Sequence, residues 1–341
     1  MRVAFLGAGS LGLISGALIT RRGYDCTLID VNRPHVDALN QNGAKIVGLY
    51  EAVIPVKATI PEEAEGIFDV IFLQVKQMDM ADALAGVKKN IGPETVIVTL
   101  ENGLPEDKVA AIVGREHVIG GSVYHGARYI SPGVSELTTE FSAMHHYIGE
   151  LDGSITPRLK AIANILESVG AVSITDDIYG IKYTKLAMNA TISGMSASLG
   201  CTFGEALENY DGMRCMLYIS QEAAKVMEAK KIKPIDMEGY CPEVKNFSFS
   251  TIDEMWECEK GLRKMILLSY NEIASMLQDI RLGKTRCEID DLNGKVVQDA
   301  KEFGIPVPFN ETVVYIVKKI LKKELEPCME NLKFFSIPEL K

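Results

Sequence analysis

RVAFLGAGSLGLISGALITRRGYDCTLID, residues 2–30, decides how the rest of the chain is read. An apolar run ends at a glycine, a helical pattern of small and apolar residues begins at once, and a second strand-like run closes on an acid. Within it GAGSLG (Gly7, Ala8, Gly9, Ser10, Leu11 and Gly12) matches GxGxxG. The bare pattern is weak, but a strand before it and a helix after it give it meaning. Gly7 permits the tight turn, Gly9 leaves a pyrophosphate space against the backbone, and Gly12 lets helix and strand pack closely, with the helix N-terminus facing the anion. A glycine turn without a ligand is the weaker reading. Asp30 stands 18 residues beyond Gly12, where a carboxylate accepts hydrogen bonds from ribose hydroxyls and repels a 2′-phosphate. The cofactor is therefore NAD or NADP, with a lean to NAD. Arg33 keeps NADP open, because a guanidinium there can bind a 2′-phosphate; a solvated loop charge is its plainer role.

The same alternation continues to about residue 175. RVAFLG, DCTLID, DVIFLQVK, TVIVTL, HVIGGSV and AVSITD read as strands, and LGLISGALITRRGY and MADALAGVKKNI as helices between them. This predicts an α/β fold whose N-terminal half is a Rossmann-type, mainly parallel sheet with helices on both faces. SELTTEFSAMHHYIGE reads as an antiparallel addition at the far edge. Beyond residue 178 strand signals stop, and GIKYTKLAMNATISGMSAS, MRCMLYISQEAAKVMEAKKI, MILLSYNEIASMLQDIRLG and CEIDDLNGKVVQDAKEFG follow helical periodicity. The prediction is a dinucleotide-binding domain over residues 1–176 and an all-helical domain over 177–341. EGYCPEVKNFSFS reads as an extended excursion between helices.

Composition narrows the function classes. The chain of 341 residues is 47% hydrophobic and 24% charged, as in ordinary globular proteins. A net charge of −10 argues against a nucleic-acid surface, which needs lysine and arginine to displace counterions. Seven scattered cysteines without a CxxC pair read as buried thiols in a reducing compartment, and no histidine stands at zinc-ligand spacing. His145 and His146 would face opposite sides of a strand, so no metal is expected. No apolar run approaches the roughly 20 residues of a membrane span, and the chain opens directly on a strand; a cytoplasmic protein is expected.

In an open parallel sheet the ligand lies beyond the carboxyl ends of the strands. The polar residues there are Gln74 and Lys76, then Glu101, Asn102 and Gly103, then His125 to Arg128 around Ala127. Asn102 can present an amide to nicotinamide or substrate, or act simply as a turn former. In the helical half KLAMN places Lys185 and Asn189 four residues apart, on one helix face, among apolar and small neighbours. Desolvation lowers the pKa of a half-buried lysine and makes it a proton donor near neutral pH, unless it snorkels to the surface. Ser275 is expected near the end of one helix, and Glu288, Asp290 and Asp291 at the start of the next. Periodicity does not choose among the three acids.

Taken in order, GAGSLG at 7–12, ENG at 101–103, HGAR at 125–128, KLAMN at 185–189, SMLQDI at 275–280 and EIDDLNG at 288–294 resemble the ketopantoate reductase (2-dehydropantoate 2-reductase) family. The resemblance implies a Rossmann domain joined to a helical domain, with the active site in the cleft between them. It implies reduction of 2-dehydropantoate to pantoate, on the route to pantothenate, usually with NADPH, by a homodimer. It makes Lys185 the general acid and Glu288 its partner near the nicotinamide ribose. Asn102 would touch cofactor and substrate, Ala127 the cofactor, and Asn189 and Ser275 the substrate; Lys76, at its strand end, is a further candidate for the cofactor. Two positions depart from the family: Ser193 and Phe203 replace asparagines that contact substrate, so a bulkier or differently branched 2-keto acid is the second reading. A dinucleotide-binding sensor without catalysis is a third, opposed by the intact Lys185 and Glu288.

Overall fold

The computed structural model describes residues 1–237 and 239–340, with Leu268 described by its backbone alone. The chain divides into two compact units, Met1–Ile178 and Tyr179–Lys341. The first holds strands β1 (Arg2–Leu6), β2 (Asp25–Ile29), β3 (Ala44–Gly48), β4 (Ala52–Ile54), β5 (Lys57–Thr59), β6 (Phe68–Leu73), β7 (Ile91–Thr99), β8 (Val118–Tyr124), β9 (Ala127–Ser131), β10 (Val134–Leu137), β11 (His145–Glu150) and β12 (Ala171–Ile174). Its helices are α1 (Ser10–Arg21), α2 (Arg33–Asn42), α3 (Met80–Gly86), α4 (Glu106–Val113) and α5 (Pro157–Leu166).

Eight strands form one sheet in the order β12-β11-β8-β7-β6-β1-β2-β5. All its neighbouring pairs are parallel except β11 against β8. Alternate residues of β1 feed different cores: Val3 and Phe5 join Leu13, Ile14 and Leu18 of α1, whereas Ala4 and Leu6 join Met80 and Leu84 of α3 and Val109 of α4. Because both faces are covered, the central strands carry buried apolar residues at consecutive positions, as at residues 3–6 and 70–73, which is why they are legible as apolar runs. Phe5 stacks on Phe72 of the adjacent β6 with ring centroids 4.9 Å apart.

Two features differ from the expectation. Strands β4-β3-β10-β9 form a second sheet, whose Ala44, Ile46, Ile54 and Leu137 are buried in the cluster that contains α1. The segment expected at the far edge is thereby divided. SEL lies in β10 of the small sheet, while HHYIGE forms β11, flanked by β8 and β12, so the edge is β12.

In the second unit the described elements are helices, apart from an isolated bridge between Met237 and Tyr240. They are α6 (Ile178–Leu199), α7 (Phe203–Glu208), α8 (Tyr210–Ala229), α9 (Ile252–Ile266), α10 (Ser275–Arg281), α11 (Asn293–Glu302) and α12 (Pro308–Leu321). Helix α6 is mostly buried. Tyr183 Oη donates to the buried Asp299 of α11 at 2.9 Å, and Asp299 also meets Lys295 and Lys230 at 2.7 and 3.3 Å. Asn293 Nδ2 donates to the Ala190 carbonyl and to Asn310 Oδ1, at 2.9 and 3.0 Å. Asn310 belongs to the first turn of α12, where Glu222 of α8 accepts from the Phe309 and Asn310 N–H groups, both at 2.9 Å, and from Asn310 Nδ2 at 2.7 Å. A side chain from another helix thus caps α12, which has no side-chain cap of its own at Val307.

The single helix expected over MILLSYNEIASMLQDIRLG is broken. Helix α9 ends at Ile266, a 3-10 turn covers Leu267–Ser269, and α10 starts at Ser275. Tertiary partners take the intervening backbone groups: Gly204 N–H donates to the Tyr270 carbonyl at 2.8 Å, Phe203 N–H to Glu272 at 3.0 Å, and Ala274 N–H goes to Ser196 Oγ at 3.1 Å. Ser275 therefore opens a helix instead of ending one. All seven cysteines are free thiols, and no helix among the described residues is long and apolar enough to cross a membrane.

Candidate active site

The glycine turn is built from backbone. Gly7 has φ +97°, and a Cβ on it would stand 2.6 Å from the Gln74 carbonyl oxygen; on Gly12 it would stand 2.0 Å from the Gly7 oxygen. At Gly9 a Cβ would meet nothing within 4 Å. Gly9 is also the N-cap of α1, with no side-chain cap and no acid in the first turn. Open space in front of uncapped N–H groups fits the pyrophosphate of a dinucleotide. The Gly7 N–H donates to the Ile29 carbonyl at 2.8 Å, so Asp30, the next residue, lies beside the turn. Its Oδ1 accepts from the Asn32 N–H at 2.9 Å. His35, missed in the sequence reading, supports the turn from below. It is fully buried, accepts from the Gly133 N–H through Nδ1 at 3.0 Å, and therefore donates through Nε2 to the Ala8 carbonyl at 2.8 Å. An isolated histidine among apolar residues in RPHVDAL was the available signal.

The other strand-end residues follow β6, β7 and β8. Lys76 is half-buried and precedes a 3-10 turn, Gln77–Asp79. The buried Gln77 donates to the Asn102 carbonyl at 2.6 Å and accepts from Lys108 at 2.9 Å. This ties the loop after β6 to the loop after β7 and fixes the backbone at Asn102, itself half-buried. Gln77 was not singled out, since its role depends on a partner 25 residues away. Ala127 is half-buried and opens β9.

In the helical unit Lys185, Asn189 and Ser193 recur at intervals of four along α6, all half-buried, while Leu186, Ala187, Ala190 and Thr191 between them are buried. Burial pulls the Lys185 ammonium down to about 7, the Lys182 charge one turn earlier adds to this, and Glu288 opposes it. Lys182 is 2% exposed and went unremarked in the sequence. The three acids left open by periodicity differ in burial and partners. Glu288 is buried in a 3-10 turn, Glu288–Asp290, and acts on Lys185. Asp290 is exposed and pairs with Lys318 at 2.6 Å, and Asp291 is half-buried. Ser275 is exposed at the start of α10, next to the Ala274 that is anchored on α6. Phe203 is buried at the start of α7. Among the described residues no group of three histidine, cysteine, aspartate or glutamate side chains could hold a metal ion.

Comparison with known proteins identifies the family. Residues 3–153 match the model of ketopantoate reductase PanE/ApbA, and residues 177–321 match that of its C-terminal domain. A Pyrococcus horikoshii protein named 2-dehydropantoate 2-reductase is 30% identical over 322 residues, 93% of this chain and 97% of the relative. One of the same name from Aquifex aeolicus is 29% identical over 330 residues, 95% and 97% of the two chains. Two solved structures share the fold at 23% identity, each covering 95% of this chain and 99% of the other. They are a PanE/ApbA family ketopantoate reductase from Ralstonia eutropha, with TM-score 0.81, and D-mandelate dehydrogenase with NADH and anilino(oxo)acetate, with TM-score 0.79. With both halves matched in order by its two domain models, the chain belongs to the ketopantoate reductase PanE/ApbA family.

Proposed function

We propose that the chain is an NAD(P)H-dependent oxidoreductase that reduces 2-dehydropantoate to pantoate, a step of pantothenate biosynthesis. The observation that carries this reading is Lys185, whose ammonium gives up its proton near neutral pH and which shares a helix face with Asn189. Gly7 to Gly12 and Asp30 hold the cofactor, with contributions from Lys76, Asn102 and Ala127. A reduced nicotinamide bound there supplies the hydride. Lys185 meets the negative charge that grows on the ketone oxygen and donates its proton to it. Glu288 keeps enough of Lys185 protonated to do so and positions it. Asn189, Ser193 and Ser275 bind the substrate's carboxylate and hydroxyl, with Asn102. Asp30 supports a preference for NAD over NADP. The free cysteines fit a cytoplasmic protein, and membership of the family supports a homodimer.

A second reading keeps the mechanism and changes the substrate. Ser193 is half-buried on the same face as Lys185 and Asn189, and its side chain is shorter than an asparagine, which favours a bulkier 2-keto acid. Steady-state rates with NADH and NADPH against 2-dehydropantoate and a panel of 2-keto acids test both. Turnover of 2-dehydropantoate is expected. Turnover of other 2-keto acids with none on 2-dehydropantoate replaces the first reading by the second, and no turnover of any of them defeats both.

A further inference from the structure

Arg33 is the one cation that the sequence offers beside Asp30 for a 2′-phosphate, and the structure gives it a partner. It is the first residue of α2, after the N-cap Asn32. Both of its terminal nitrogens meet the carboxylate of Glu63: Nη1 donates to Oε2 at 2.9 Å and Nη2 to Oε1. Glu63 ends a short 3-10 turn, Pro61–Glu63, that follows β5. The placement is dictated by the sheet. Strand β5 pairs in parallel with β2, Ile29 opposite Thr59, and the Asp30 N–H donates to the Thr59 carbonyl at 3.1 Å. The chain leaving β5 is therefore delivered to the ribose end of the glycine turn. Glu62 and Asp37 add their fields at the guanidinium.

We infer that Glu63 is a specificity-determining residue: by occupying Arg33 from the neighbouring strand end, it withholds from a 2′-phosphate the cation that would bind it, and so selects NADH against NADPH. This rests on the dinucleotide-binding reading of the first unit. Planar two-point recognition explains the competition, since guanidinium binds carboxylate and phosphate through the same fork of N–H groups. The side chains of Arg33 and Glu63 are 46% and 55% exposed. A pair of that kind is worth little in water, so the fork is withheld without being locked. A phosphate dianion entering here must displace Glu63 and then remain beside both Glu63 and Asp30. Sequence alone left Arg33 as a mark in favour of NADP; its partner, 30 residues further on, reverses that sign.

The test is nucleotide binding by the full chain, measured by titration of NADH and of NADPH in separate calorimetric or fluorescence experiments. Glu63→Gln is expected to tighten NADPH binding by about five- to tenfold, the scale of one exposed ion pair and one like charge removed, with NADH binding kept within about twofold. In an Arg33→Ala background the same exchange is expected to give no such gain, because the freed guanidinium is absent. NADPH binding unchanged by Glu63→Gln, or tightened equally for both nucleotides, overturns the inference and leaves the dinucleotide reading intact. Wild-type protein that binds neither nucleotide overturns the dinucleotide reading and this inference with it.

Discussion

The glycine turn and the polar face of α6 are made by opposite means. The turn works because side chains are missing: a Cβ at Gly7 or Gly12 would strike backbone, and the open space at Gly9 is the feature on offer. The face of α6 works because side chains are present in the wrong solvent, with a lysine partly buried beside a second lysine and an acid. The recognition proposed for the first is geometric and held by main-chain atoms. In the second, the reactivity proposed for Lys185 is electrostatic, set by burial, by Lys182 one turn away and by Glu288 far along the chain. Substitutions should therefore act on binding in one region and on proton transfer in the other.

The largest effect expected is on Lys185. Lys185→Ala should lower turnover by about 10² to 10⁴, the contribution of a positioned acid, while nucleotide affinity measured by titration stays close to wild type. Loss of nucleotide binding in that variant would erase the contrast between the two regions. Next come the glycines. Gly9→Ala should leave the melting temperature essentially unchanged and weaken dinucleotide binding by about tenfold or more, as overpacking by one methyl would. Gly12→Ala should lower the melting temperature as well, because its Cβ would collide with the Gly7 carbonyl. Equal behaviour of the two variants would show that the space at Gly9 is not a ligand's.

A smaller effect concerns pH. On the proposed mechanism reduction needs Lys185 protonated, so kcat/KM should be retained below about 7 and fall as pH rises through that value. Because the Lys182 charge depresses the proton affinity of Lys185 and Glu288 raises it, Lys182→Met should move the falling limb to higher pH and Glu288→Gln should move it to lower pH. A uniform loss of rate in either variant, with the limb unmoved, would make that residue structural only. The smallest effect is at Asp30: Asp30→Ala should weaken NADH binding severalfold and NADPH binding less, and an equal loss would remove the reason for preferring NAD.

The same contrast explains what the sequence could disclose. Strand stretches such as VAFL and VIFL are buried on both faces and read as unbroken apolar runs, and the glycine spacing carries its own geometry. The small sheet was not legible. Its strands are three to five residues long, Val53 and Ile130 point outward at 60% and 50% exposure, and β3 finds its partner β10 some 90 residues away, Lys45 opposite Val134. In the helical half, Lys185 and Asn189 stood out as polar residues in an apolar run. Glu288 could not be told from Asp290 or Asp291 until burial and the Lys318 pair separated them. Gln77 and His35 matter through tertiary partners, which periodicity does not encode.

The relay from Glu222 through Asn310 and Asn293 to the Ala190 carbonyl couples four helices through buried polar groups. Each of the three side chains is buried, and each satisfies groups on its neighbours that have no water to turn to. A lone exchange at any of them strands a donor or an acceptor in the interior. The backbone one residue past Asn189 and the first turn of α12 are therefore held by one buried network, and a change at either end is felt at the other.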